Sequence, residues 1–140
     1  MSVLYTAEAS ATGGRTGQAR SSDGRLAVSL DTPKALGGSD GAGTNPEQLF
    51  AAGYAACFLG ALKFVAGREK VAIPADTTVN AKVGIGPRAD GGGFGLEIAL
   101  NVVIPGVDPA VAADLAAKAH VVCPYSHLAR TDTDVALTVG

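Results

Sequence analysis

Asn45-Pro46-Glu47-Gln48-Leu49-Phe50-Ala51-Ala52-Gly53-Tyr54-Ala55-Ala56-Cys57-Phe58-Leu59-Gly60-Ala61-Leu62 is the stretch that decides how this chain folds. Asn45 can cap a helix with its side-chain oxygen, Pro46 suits the first helical position, and Gln48 stands where a capping box places its amide. With Gly67 as a C-terminal stop, the pattern predicts one helix over about 46–66. From Leu49 to Leu62 it carries no charge and is apolar or small on every face, which is the signature of a buried helix. Ala51, Ala52, Gly53, Ala55, Ala56, Gly60 and Ala61 are small enough to admit another backbone. A sheet from so short a chain covers one side, so the simplest cover for the rest is a second copy related by a two-fold axis. The alternative is a helix sandwiched within one monomer.

Around this helix the pattern changes to period two. Val3, Tyr5 and Ala7 alternate with polar neighbours, as do Leu26, Val28 and Leu30 after the turn dipeptide Asp23-Gly24, so the first third reads as a small antiparallel meander. Val79, Ala81, Val83 and Ile85, then Leu96, Ile98, Leu100, Val102 and Ile104, predict a half-buried hairpin about the loop 87–93. Val135, Leu137 and Val139 predict a last strand. Asp108-Pro109 starts a second helix, and Pro124 disfavours helical geometry at Cys123, which therefore lies at a helix terminus. The sum is an α+β fold in a single domain over 1–140.

Eleven Lys and Arg against thirteen Asp and Glu, with no basic run and seven Phe or Tyr, give no footprint for nucleic acid or an anionic membrane. The nineteen glycines mostly punctuate loops, and no internal repeat is present. The opening Met1-Ser2-Val3-Leu4-Tyr5-Thr6 is no apolar leader, and no run of about 18 apolar residues is read, so a soluble, cytoplasmic protein without a permanent disulfide is expected.

The chemistry then centres on the only two cysteines, Cys57 and Cys123. The bland reading is a pair of buried thiols acting as small hydrophobes. The reactive reading requires a thiolate, and a free thiol with a pKa of about 8.5 is only a few per cent ionised at neutral pH. Cys57 lies about three turns into its helix, beyond the reach of that helix's dipole, so a cation must help. Arg15, in Ala11-Thr12-Gly13-Gly14-Arg15-Thr16-Gly17, projects from a glycine-rich turn that suits a close approach, although a turn arginine is commonly just solvated. A metal module built from Cys57, Cys123, His120 and His127 is a second class of reading, weakened by the absence of paired, short-spaced cysteines. A non-catalytic binder of apolar molecules is a third. Phe50, Tyr54, Phe58 and Phe64 read first as core, and at an interface also as a substrate pocket. Asp132 and Asp134 read as a solvated loop, and Lys63, Arg68, Glu69 and Lys70 as the helix end emerging into water.

Three blocks carry a resemblance: Ala11-Thr12-Gly13-Gly14-Arg15, the run from Gly43 through Glu47 and Cys57 to Phe58, and Cys123-Pro124-Tyr125-Ser126. In this order they resemble the organic hydroperoxide resistance (Ohr) branch of the Ohr/OsmC superfamily, over nearly the whole chain. The resemblance implies an intertwined homodimer of α+β subunits, with antiparallel sheets wrapped around long central helices and active sites at the subunit interface. It implies a thiol peroxidase in which Cys57 attacks the peroxide and Cys123 resolves the sulfenic acid. Arg15 would stabilise the thiolate and Glu47 would hold Arg15. Phe50, Tyr54, Phe58 and Tyr125 would contact the substrate, an alkyl or fatty-acid hydroperoxide. No metal or organic cofactor is implied; the reductant would be an external dithiol, the lipoyl group of a carrier protein. The chain departs from the family at His127, where Asn usually follows the last motif.

Glu47 and Cys57, ten positions apart, would be separated by about 15 Å along a continuous helix and turned by roughly 80°. Either the helix breaks at Gly53, or Arg15 spans the gap, or a second subunit brings its helix start beside Cys57. The last is the arrangement expected here, with the cysteines from one subunit and Arg15-Glu47 from the other.

Overall fold

The long helix, α1 (Pro46–Arg68), begins as the capping signals require in the computed structural model, which describes all of residues 1–140. Asn45 Oδ1 accepts the Gln48 backbone N–H at 2.8 Å. The Gln48 side chain does not complete a capping box; its Oε1 accepts the Thr44 hydroxyl at 2.7 Å. At the other end the helix passes through Gly67 and stops two residues later than its sequence predicts. Lys70 takes the left-handed turn (φ 58°), with Lys70 N–H on Gly67 O and Val71 N–H on Ala66 O. This Schellman pairing satisfies the last carbonyls without needing a glycine. The helix is unbroken at Gly53.

The chain divides into two compact units, Met1–Phe50 and Ala51–Gly140. In the first, β1 (Ala9–Thr12), β2 (Gln18–Ser21) and β3 (Ala27–Ser29) form an antiparallel meander in the order β1-β2-β3. Asp23-Gly24 makes the β2–β3 turn, with Asp23 Oδ1 accepting the Ser21 hydroxyl at 2.6 Å. The predicted strand at Val3, Tyr5 and Ala7 is absent: pairing starts only at Ala9.

In the second unit β4 (Thr78–Pro87) and β5 (Phe94–Val103) form the expected hairpin, with Val83 opposite Ile98 and Ala81 opposite Leu100. Helix α2 (Pro109–Val122) is capped by Asp108, whose Oδ1 accepts from Ala110 N–H at 2.9 Å. Cys123 follows in extended geometry (ψ 123°), as a residue before proline must. A short helix the sequence reading missed, α3 (Pro124–Arg130), comes next. The core joins Tyr54, Phe58, Leu62 and Val65 of α1 to Leu115 and Ala119 of α2 and to Cys123. Each large apolar side chain buried there contributes about 1.5–3 kcal/mol.

Two expectations need correction. The predicted last strand does not form: Val135, Leu137 and Val139 carry no regular structure and lie exposed. A strand needs a neighbour for its N–H and C=O groups, and residues 131–140 pair with none. Within one chain α1 is buried along one side only, as expected of a helix whose other faces need further cover. Tyr54, Phe58, Ala61, Leu62, Val65 and Ala66 are buried, while Ala52, Ala56 and Gly60 form an exposed stripe at helical spacing. Finally, α1 is itself long and apolar enough, by length and composition, to cross a membrane, with mean hydropathy 1.7. The reading that no such run exists does not hold, although a third of that window is buried as a core helix is.

Candidate active site

In the second unit the two cysteines meet. Cys57 stands half-buried in the middle of α1 and Cys123 is fully buried between α2 and α3, both as free thiols with their sulfurs 3.7 Å apart. A disulfide is about 2.05 Å long, so closure asks for an approach of about 1.7 Å.

Residues of the Cys-Pro-Tyr-Ser segment pack along the same face of α1. The Tyr125 ring lies 5.6 Å from that of Tyr54, tilted by 60°. Gly53 makes room for it: a Cβ there would stand 3.0 Å from the Tyr125 hydroxyl. The buried Ser126 hydroxyl bonds Tyr54 OH at 2.7 Å and His120 Nδ1 at 2.9 Å. Burial pushes the Cys57 thiol above its ordinary pKa, since a thiolate loses its hydration there, and the second sulfur adds to the rise. The Tyr125 backbone N–H acts against both by hydrogen bonding to the Cys57 sulfur. Sequence reasoning missed this N–H, Ser126 and the role of His120, because each depends on α3 being a helix that returns onto α1.

Tyr54 and Phe58, expected to contact substrate, are core residues that also line an open cavity of about 560 Å³, with Leu96, Ile98, Leu100 and Val102 of β5 on one side and the polar His120, Ser126 and Arg130 on the other. Tyr125 is half-buried. The ligands of a metal module do not gather: no group of three or more His, Cys, Asp or Glu side chains is placed to hold an ion.

The first unit holds the ion pair. Arg15 sits in a three-residue 3-10 turn, Gly14–Thr16, between β1 and β2. That turn requires glycine: Gly13 has φ 73°, and a Cβ on Gly17 would lie 1.8 Å from Thr12 O. Both terminal guanidinium nitrogens of Arg15 bond Glu47, Nη1 to Oε2 at 2.8 Å and Nη2 to Oε1 at 2.6 Å. Glu47 occupies the first turn of α1, where a negative charge suits the helix dipole. Arg15 holds the Glu47 carboxyl below its ordinary pKa, and Glu47 raises that of Arg15. Phe50, also expected at the site, is half-buried one turn further along α1.

Known proteins share this arrangement of elements. The family described as OsmC-like protein matches residues 38–138. An organic hydroperoxide resistance protein of Xanthomonas axonopodis pv. citri is 54% identical, over 99% of this chain and 96% of its own length. The organic hydroperoxide resistance protein OhrB of Bacillus subtilis is 42% identical, over 96% of this chain and 97% of its own. The crystal structure of an organic hydroperoxide resistance protein from Elizabethkingia anophelis superposes with a TM-score of 0.87 at 52% identity, covering 93% of this chain and 91% of that one.

Proposed function

Since this chain belongs to the OsmC-like family, with relatives named for organic hydroperoxide resistance, we propose that it is a thiol peroxidase that reduces organic hydroperoxides to alcohols. The observation that carries the reading is the pair of free sulfurs 3.7 Å apart. The Cys57 thiolate attacks the distal peroxide oxygen, the O–O bond breaks, and the departing alkoxide takes a proton to become the alcohol. Cys57 is left as a sulfenic acid. Cys123 attacks its sulfur, the S–O bond breaks, and hydroxide leaves with the thiol proton as water, giving a Cys57–Cys123 disulfide. An external dithiol, the lipoyl group of a carrier protein, reopens it by thiol–disulfide exchange. No resident cofactor takes part.

Burial alone would keep Cys57 protonated at neutral pH. Arg15 is the cation that lowers its pKa, and Glu47 fixes the guanidinium in a two-pronged grip that lysine could not reproduce. The working form is a homodimer in which the Arg15–Glu47 pair of one subunit serves the cysteines of the other. The exposed stripe Ala52, Ala56 and Gly60, within the charge-free stretch of α1 from Leu49 to Leu62, supports an α1–α1 contact, and the unpaired apolar ends of the chain support intertwining. The cavity beside Tyr54 and Phe58 has an apolar wall of Leu96, Ile98, Leu100 and Val102 that suits an alkyl tail, which supports organic hydroperoxides over hydrogen peroxide. Phe50 and Tyr125 complete the substrate contacts. A cysteine cycle that needs a continuous supply of reductant suits the cytoplasm.

The deciding assay is turnover of cumene or linoleic hydroperoxide against hydrogen peroxide, with dihydrolipoamide as reductant. A peroxidase of this kind consumes the organic substrates faster and loses all turnover in Cys57→Ser. An apolar-ligand binder would keep its binding in that variant and show no turnover in the wild type.

A further inference from the structure

Cys123 is held by more contacts than the two chemical steps demand. It is the single residue between α2 and α3, and four hydrogen bonds fix that joint. Ser126, fully buried one turn into α3, bonds Tyr54 of α1 and His120 in the last turn of α2. From the far end of α3, Arg130 donates Nη1 to His120 O at 2.7 Å and Nη2 to Val121 O at 3.1 Å. These are carbonyls that the end of α2 would otherwise leave without a helical partner. No buried side-chain polar atom is left unpaired.

We propose that Ser126, with His120 and Arg130, forms a positioning assembly for Cys123, setting how often the Cys57 sulfenic acid closes to a disulfide before a second peroxide oxidises it. The inference rests on the peroxidase reading. The sulfenic acid has two fates. Attack by Cys123 expels water and gives the disulfide; attack on a second hydroperoxide transfers one more oxygen, giving a sulfinic acid and another alcohol. The first is intramolecular and depends on geometry, whereas the second rises with peroxide concentration. A misplacement of about 1 Å can cost an intramolecular step roughly a hundredfold. A closing movement of about 1.7 Å leaves little tolerance for a joint that swings. Ser126 and Arg130 are positioning residues in this sense, since they act on the reaction through Cys123.

The test uses the full-length reduced protein as wild type, Ser126→Ala, Ser126→Thr and Arg130→Gln. Each is treated with rising cumene hydroperoxide, the sulfenic acid is trapped with dimedone, and disulfide and sulfinic acid are counted by intact mass. Ser126→Ala is expected to form sulfenic acid, to close it about tenfold more slowly, and to over-oxidise at about a tenth of the peroxide excess the wild type tolerates. Ser126→Thr, which keeps the hydroxyl, restores closure, and Arg130→Gln shifts the balance the same way by less. If Ser126→Ala fails to fold in a thermal scan, Arg130→Gln at an exposed position carries the test. Wild-type closure and wild-type over-oxidation in the folded variants would overturn the proposal, as would slow closure in Ser126→Ala that threonine does not relieve. Failure of the peroxidase reading looks different: the wild type itself then yields no peroxide-dependent dimedone adduct.

Discussion

The two halves of the proposed site are built by opposite means. Cys57 and Cys123 ride on the hydrophobic core of the second unit, where Tyr54, Leu62, Val65 and Leu115 have almost no exposed surface. Arg15 and Glu47 belong to a unit whose one buried apolar residue is Leu30, and they are held chiefly by each other. Packing sets a sulfur–sulfur distance that is lost only with the core. A charge pair gives an orientation that is lost with either partner. The division suits the proposed chemistry, in which a disulfide would need a fixed distance while the cation would have to tolerate an arriving and departing substrate.

The largest effects separate the sulfurs from everything else. Cys57→Ser should abolish turnover altogether, since a hydroxyl at neutral pH is no substitute for a thiolate. Cys123→Ser should consume one equivalent of peroxide and stall as a trappable sulfenic acid. A burst of one equivalent in both variants would break the assignment of roles. Next comes the cation. Arg15→Ala should raise the Cys57 pKa by a unit or more, each unit being about 1.4 kcal/mol, so the rate at neutral pH falls roughly tenfold or further and recovers as pH rises. Glu47→Ala should act in the same direction but less. Thiolate titration of the variants checks this, and unchanged values would detach the ion pair from the sulfurs.

How much of this was legible depended on the range of the forces involved. The start of α1 was readable because Asn45 acts three residues away, and the place of Cys123 because Pro124 constrains its immediate neighbour. The β4–β5 hairpin was readable from strict alternation on either side of a short loop. Helix α3 escaped because it spans seven residues and begins without a side-chain cap. With it went Ser126, whose partner Tyr54 lies 72 positions away. The last strand was over-read for the opposite reason: Val135, Leu137 and Val139 have the period of a strand, yet period states only which face wants cover. The glycine-rich turn only suggested Arg15 as the cation; the resemblance to a known family supplied the expected role of Glu47 and singled out Arg15 from other solvated arginines.

A mixed dimer tests whether the two halves come from different chains. Combining Cys57→Ser with Arg15→Ala subunits should restore part of the activity, because one of the two interfaces then holds both intact halves. No recovery, with heterodimers shown to form, would place the whole site in one chain. Gly53→Ala probes the sulfur half more gently. Alanine would ordinarily stabilise a helix interior by about 1 kcal/mol over glycine. Here its Cβ meets the Tyr125 hydroxyl at 3.0 Å, so that gain should be cancelled and disulfide closure slowed. A variant stabilised by the full amount with unchanged closure would show that Tyr125 is free to move.

The smallest effect is the pH dependence of the charge pair. Glu47 has its pKa lowered in the folded protein by Arg15, so its ionised form is favoured by folding. The stabilisation is therefore present above the unfolded carboxyl value near 4.5 and is lost as pH falls through the lower folded value. Arg15 stays charged throughout this window and contributes no slope of its own. With the Arg15 side chain 34% exposed, screening limits the pair to about 0.2–1 kcal/mol, the two-pronged geometry favouring the upper end. Denaturant unfolding of wild type and Glu47→Gln should thus differ by that amount at neutral pH and converge in acid. Added salt should narrow the gap at neutral pH. Curves that stay parallel down to strong acid would show that Glu47 contributes through its shape and not its charge, and the two halves of the site would then differ less in construction than their burial suggests.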